Sequence, residues 1–169
     1  MNRLQFDTVD FGRLLTRLPD AVAQLRGGPE YPAIEGWVRF CDTPFGCLVA
    51  VQAEGLPHHE GTCENHFFGL HIHNGGRCAG GTPHEPFADT GTHYNPDQCW
   101  HPQHAGDLPP LMEEDGRGFM AVLAGQLRVR EILGRSVVLH TDPDDFHTQP
   151  AGNAGRKMAC GVILPVRRS

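Results

Sequence analysis

Four histidine-bearing segments constrain this chain more than any other feature. They are Gly69-Leu70-His71-Ile72-His73, Thr92-His93-Tyr94-Asn95-Pro96, His101-Pro102-Gln103-His104-Ala105-Gly106-Asp107 and Val137-Val138-Leu139-His140. Together they supply six imidazoles and one carboxylate, the donor set of two adjacent metal ions. Any fold that uses them must gather strand and loop segments from across the second half of the chain into one place.

The first segment reads as a strand, and strand side chains alternate between faces. His71 and His73 therefore point the same way, about 7 Å apart along the strand, and can grip one ion. Alone, such a pair is often surface chance; here it is one of four. His93, His101, His104 and Asp107 fall within fifteen residues of a Pro/Gly-rich stretch. Three imidazoles and a carboxylate complete a four-coordinate zinc site. His140 ends an apolar strand, where a lone histidine is usually a core residue with satisfied hydrogen bonds. Asp144, four residues on, is placed to orient metal-bound imidazoles through their outer nitrogens.

The rest of the chain is read around these stations. Phe11, Leu14, Leu15, Leu18, Val22 and Leu25 recur at helical spacing, so residues 1–32 read as an N-terminal extension with a short amphipathic helix. From residue 33 to 169 the texture is β. Gly36–Phe40 and Cys47–Val51 flank a turn-like Asp42–Gly46. Further strands are expected at Phe67–His73, Gly118–Leu123, Ser136–His140 and Met158–Val166. Two long loops, from Gly75 through Pro110 and from Asp142 to Gly155, are of a length usually reserved for function. Short strands, long loops and no second helical pattern indicate an all-β antiparallel sandwich or barrel.

Net charge is −6 with histidines neutral, which argues against a nucleic-acid partner. No apolar run approaches the ~20 residues that span a bilayer, so no membrane is expected. Met1–Phe11 lacks the apolar core of a secretory signal, which reads as cytoplasmic. Six cysteines point the other way, to an oxidising, extracytoplasmic setting. His58, His59, His66, His84 and His147 receive no role. His58-His59 reads as solvated loop, and His147 lies in the second long loop. Trp37 and Trp100 read as packing residues, with Trp100 placed beside His101 to shield zinc.

These motifs resemble the copper/zinc superoxide dismutase family, from about Gly36 to Ile163. Gly69-Leu70-His71-Ile72-His73 is similar to its copper strand, and Gly91-Thr92-His93-Tyr94-Asn95-Pro96 to the segment with the histidine that bridges both metals. His104-Ala105-Gly106-Asp107-Leu108 resembles the end of its zinc loop. Val138 to Asp145 resembles the strand with the last copper histidine, and Gly152–Gly155 with Ala159–Ile163 the C-terminal signature.

The resemblance implies an eight-stranded Greek-key β-barrel holding one copper and one zinc per chain. It implies copper on His71, His73, His93 and His140, and zinc on His93, His101, His104 and Asp107. Asp144 would link the two sites, and Cys78 would pair with Cys160. The implied reaction converts superoxide to dioxygen and hydrogen peroxide, with His93 as a catalytic proton carrier. The implied partner is the superoxide anion, and the family allows a homodimer. A copper- and zinc-binding protein without turnover is the alternative on the same fold.

Departures give the chain the look of a bacterial branch with shortened zinc and electrostatic loops. Only two residues separate His101 from His104. Lys157 stands where the family carries its anion-guiding arginine, with Arg156 beside it; either could guide the anion. Lysine is a point charge without arginine's rigid fork. Cys41, Cys47, Cys63 and Cys99 lie outside the familiar pattern, although Cys41 and Cys47 flank a hairpin turn and could pair across it.

Overall fold

The computed structural model describes residues 12, 13, 15–58, 61 and 65–167. Eight antiparallel strands form a closed barrel: β1 (Ala21–Gly27), β2 (Glu35–Thr43), β3 (Gly46–Glu54), β4 (Phe67–His73), β5 (Asp107–Glu114), β6 (Arg117–Ala124), β7 (Ser136–His140) and β8 (Lys157–Pro165). Around the barrel the order is β1-β2-β3-β6-β5-β4-β7-β8. The displaced pair of β4 and β6 is the Greek-key crossover, and closure leaves no strand edge open. A single helical turn, Val129–Ile132, joins β6 to β7 and buries Val129 and Ile132.

Alternation fills the interior. Ala21, Ala23 and Leu25 of β1, Val38 and Phe40 of β2, Val49 and Val51 of β3, and Leu70 and Ile72 of β4 all join one buried cluster. The residues between them face out. On β4 from Gly69 onward, and on β7, the outward residues are buried as well, because the long loops 74–106 and 141–156 lie over them. His71, His73 and His140 are thus outward residues under loop cover. Gly69 permits that cover: a Cβ there would meet Ala154 Cβ at 2.8 Å, and its N–H donates to the Asp142 carbonyl at 2.8 Å.

Three expectations change. Residues 1–32 contain a barrel strand: β1 pairs with β2 and β8. Val22 and Leu25 were grouped on one helical face, but their odd spacing sends them to opposite faces of a strand. Residues 12, 13, 15 and 16 are helical; Phe11 and Leu14 lie outside the described residues. The first long loop ends at Gly106, since Pro109 and Pro110 fall within β5. They are tolerated there because the β4–β5 register shifts between Phe68 and Leu70, leaving both prolines without a paired residue. Trp37 and Trp100 are not packing residues; they are 49% and 75% exposed.

Cys41 and Cys47 are both buried, and neither they nor the half-buried Cys99 form a disulfide. Cys41 pairs in register with Leu48, so Cys47 sits opposite Asp42. The two thiols therefore point to opposite faces of the hairpin and cannot join across it. Cys63 lies outside the described residues.

Candidate metal centre

His71, His73, His93 and His140 bring one ring nitrogen each to a common point, with these atoms within 4.8 Å of one another. Hydrogen bonds decide which nitrogen faces inward. His73 Nδ1 donates to the Gly91 carbonyl at 2.9 Å, and His140 Nδ1 has the Gly155 carbonyl at 3.4 Å. Their Nε2 atoms then carry bare lone pairs, yet face each other at 3.2 Å. Two facing lone pairs repel unless a cation lies between them.

Burial lowers His73 to about 3 and His140 well below its ordinary value, with the neighbouring imidazoles adding to the shift. At neutral pH neither ring resolves the conflict by taking a proton. Buried His71 Nδ1 and His93 Nε2 have no hydrogen-bond partner. Orphaned acceptors in this number fit a bound metal.

The adjoining cluster is His93, His101, His104 and Asp107, also within 4.8 Å. Asp107 Oδ1 lies 2.8 Å from His93 Nδ1. Its Oδ2 lies 2.9 Å from His101 Nδ1 and 3.2 Å from His104 Nδ1. His101 Nδ1 nonetheless makes no hydrogen bond: the pair is close but not aligned, as when both donors aim at a third point. Burial works to raise Asp107, but the His93 contact and the surrounding imidazoles prevail and hold its carboxyl below the usual range. His93 belongs to both clusters, with Nδ1 turned to this one and Nε2 free on the other side.

Asp144 ties the clusters together. Its Oδ2 accepts from His71 Nε2 and its Oδ1 from His101 Nε2, both at 2.8 Å. Oδ1 also accepts the Phe146 N–H at 2.7 Å. Burial opposes ionisation, but these bonds outweigh it and hold the carboxyl at about 2. Gly152 makes room: a Cβ there would stand 2.0 Å from Asp144 Oδ1.

An open depression of about 620 Å³ leads to His73, His93 and His140, with Trp100, Arg156 and Lys157 on its wall. Lys157 is in register with His140. Its Nζ donates to Thr90 Oγ1 at 2.8 Å and to the Gly91 carbonyl at 3.1 Å, the same carbonyl that fixes His73. Burial lowers its ordinary value. Arg156 instead donates to Glu30 Oε2 at 2.7 Å, so a carboxylate already offsets its charge. The Cys78–Cys160 disulfide is formed, with Cα atoms 5.6 Å apart. It fastens the first long loop to β8 beside Lys157.

Sequence reasoning missed Gln149, whose side chain accepts the His101 N–H at 3.0 Å and donates to the His101 carbonyl at 2.7 Å. It also missed the Thr90 hydroxyl and Gly91, whose backbone carbonyl leaves no compositional signal. Trp100 stands too exposed to shield zinc.

A family model described as copper/zinc superoxide dismutase matches residues 34–163. A copper/zinc superoxide dismutase of Deinococcus radiodurans is 33% identical over 153 residues, covering 79% of this chain and 79% of its own. The copper chaperone for superoxide dismutase of Homo sapiens is 34% identical over 163 residues, covering 88% of this chain but 54% of its own. Among solved structures, the Cu/Zn superoxide dismutase from Brucella abortus is similar with a TM-score of 0.71 and 30% identity, covering 84% of this chain and 98% of that one.

Proposed function

The chain belongs to the copper/zinc superoxide dismutase family, a family that binds copper and zinc, and on that premise we propose that it converts superoxide to dioxygen and hydrogen peroxide. The observation that carries this reading is the intact four-imidazole cluster opening onto a depression with a lysine on its wall. We assign copper to His71, His73, His93 and His140, and zinc to His93, His101, His104 and Asp107. Copper in such a site supplies the one-electron redox couple that dismutation needs, which zinc does not.

The chain's own groups then have defined tasks. Lys157 attracts the anion locally, against a net charge of −6 that repels it at long range. His93 Nε2, buried and otherwise unpartnered, would take a proton from water in the first half-reaction, when its lone pair is not given to copper, and release it in the second. One superoxide gives up an electron and leaves as dioxygen. The second gains that electron and two protons, one from His93 Nε2 and one from water, and leaves as hydrogen peroxide. Asp144 holds His71 and His101 in the tautomers that keep their Nδ1 atoms bare.

The second reading is a copper- and zinc-binding protein without turnover, favoured by the similarity to the human copper chaperone and by Lys157. The deciding experiment is superoxide consumption by protein reconstituted with copper and zinc, with metal content measured on the same sample. Fast turnover with one copper and at least one zinc per chain is expected; full copper loading without turnover refutes the enzyme and leaves the metal-binding reading. A homodimer is the assembly we propose. Trp37, Gln52 and Phe119 lie side by side in register across β2, β3 and β6, and both aromatics are exposed.

A further inference from the structure

Glu113 occupies an inward position of β5 and is fully buried. The alternation of Leu108, Leu111 and Glu113 puts it where the barrel pattern calls for an apolar side chain. An ionised carboxylate is retained in such a place only when it is paired or coordinates a cation. Two imidazoles meet it from the segment joining β3 to β4. His58 Nδ1 lies 2.6 Å from Oε1, and His66 Nδ1 lies 3.1 Å from Oε2. Their donor atoms converge within 4.8 Å.

The zinc cluster of the same molecule provides a standard of comparison. Its imidazole-to-carboxylate distances run from 2.8 to 3.2 Å, and the His101 and His104 ring centroids are 5.5 Å apart, tilted by 62°. The His58 and His66 centroids are 5.9 Å apart, tilted by 50°. The two clusters therefore share donor types and ring disposition; at Glu113 both imidazoles hydrogen-bond the carboxylate, and Oε1 also accepts the Gly116 N–H at 2.6 Å. Two histidines and a glutamate also make up a well-attested zinc donor set, with a fourth position left to water.

We propose that His58, His66 and Glu113 form a third metal site, selective for a divalent cation of the zinc type, at the end of the barrel that carries the β5–β6 turn. The site clamps the β3–β4 connection to that turn. The backbone already brings the two together: Glu113 N–H donates to the His66 carbonyl at 2.8 Å, and Leu56 N–H to the Gly116 carbonyl at 3.1 Å. Asp115 Oδ1 stands 3.9 Å from the outer nitrogen of His58, on the side where a carboxylate orients a metal-bound imidazole.

The test uses the full chain loaded with copper and zinc, titrated with a zinc salt alone, with metals counted after gel filtration. Wild type should retain one copper and two zinc ions per chain, and its melting temperature should rise with the second zinc. His58 and His66 have side chains 28% and 32% exposed, so the double variant His58→Gln, His66→Gln should fold. It should hold one copper and one zinc and lose the zinc-dependent rise. Each single variant should weaken the second zinc by at least about tenfold, the low end of what outer-sphere partners alone contribute. Glu113→Gln should lose the site as well; if it fails to fold, the double variant decides. Wild type that stops at one zinc, or a double variant that keeps the second, overturns the proposal and leaves Glu113 satisfied by two hydrogen-bonding histidines and the Gly116 N–H. Neither readout involves superoxide turnover, so failure here leaves the proposed reaction untouched.

Discussion

Replacing Asp144 with asparagine should weaken copper more than zinc, although the side chain touches one imidazole of each cluster. Oδ1 accepts two hydrogen bonds, from His101 Nε2 and from the Phe146 backbone N–H, whereas Oδ2 accepts one, from His71 Nε2. In Asp144→Asn the amide oxygen should stay where two donors need it. The new NH₂ then lands at the Oδ2 position and faces His71 Nε2–H, donor against donor. His71 escapes by moving its proton to Nδ1, the unpartnered atom that faces the copper-side cluster. A protonated Nδ1 cannot bind metal, so the loss is that of the tautomer preference.

A hydrogen bond to a charged group is worth about 1.5–3 kcal/mol, which corresponds to roughly a ten- to hundredfold loss of copper affinity. Zinc should weaken far less, because His101 keeps its acceptor. The assay is competition against a chelator of known affinity, run separately for each metal on the variant. Zinc weakened as much as copper, or more, would refute the orientation argument. Asp144→Ala, which removes both acceptors, should weaken both metals and serves as the reference.

Lys157→Ala should lower superoxide turnover by about tenfold or more and flatten its salt dependence, because this lysine hydrogen-bonds neutral oxygens near the copper side and meets Glu85 only through space. Arg156→Ala should do less, since Glu30 already offsets that charge; the reverse order in steady-state assays would move the guiding role to Arg156. Cys78→Ser releases a cross-link spanning 82 residues and should cost about 2–5 kcal/mol in denaturant unfolding, with faster zinc loss; unchanged stability and zinc retention would count against a structural role for the bridge. The metal-free protein should lose stability as pH falls from about 6.5 towards about 3. The folded state keeps His73 neutral down to about 3 and also lowers His71 and His140, while the unfolded chain takes up those protons first. Denaturant midpoints that rise between pH 7 and pH 5 would contradict this.

Much of the architecture was legible in the chain because strand periodicity is local. The parity of His71 and His73, with apolar Ile72 between them, placed both imidazoles on one face without any tertiary information. The same locality misled at Val22 and Leu25, where a few apolar residues fit a helix and a strand equally well, and only pairing with β2 and β8 decides. The four histidine stations, Asp107 and Asp144 could be picked out in the sequence as residue types in a recognisable order, whereas the Cys78–Cys160 pair came only from the resemblance to the family.

Only the closed barrel decided the rest, since these choices depend on contacts between residues far apart in the chain. Which nitrogen of His73 faces inward is set by the Gly91 carbonyl, and which arginine or lysine is free is set by Glu30. His58 reads as solvated loop and His66 carries no role until barrel closure lays them against Glu113, the first of three consecutive acids, Glu113 to Asp115. Sequence order fixes which side chains exist and which way a strand turns them. Distance between segments, and therefore lone-pair direction, charge pairing and burial, is created by the register in which the strands close.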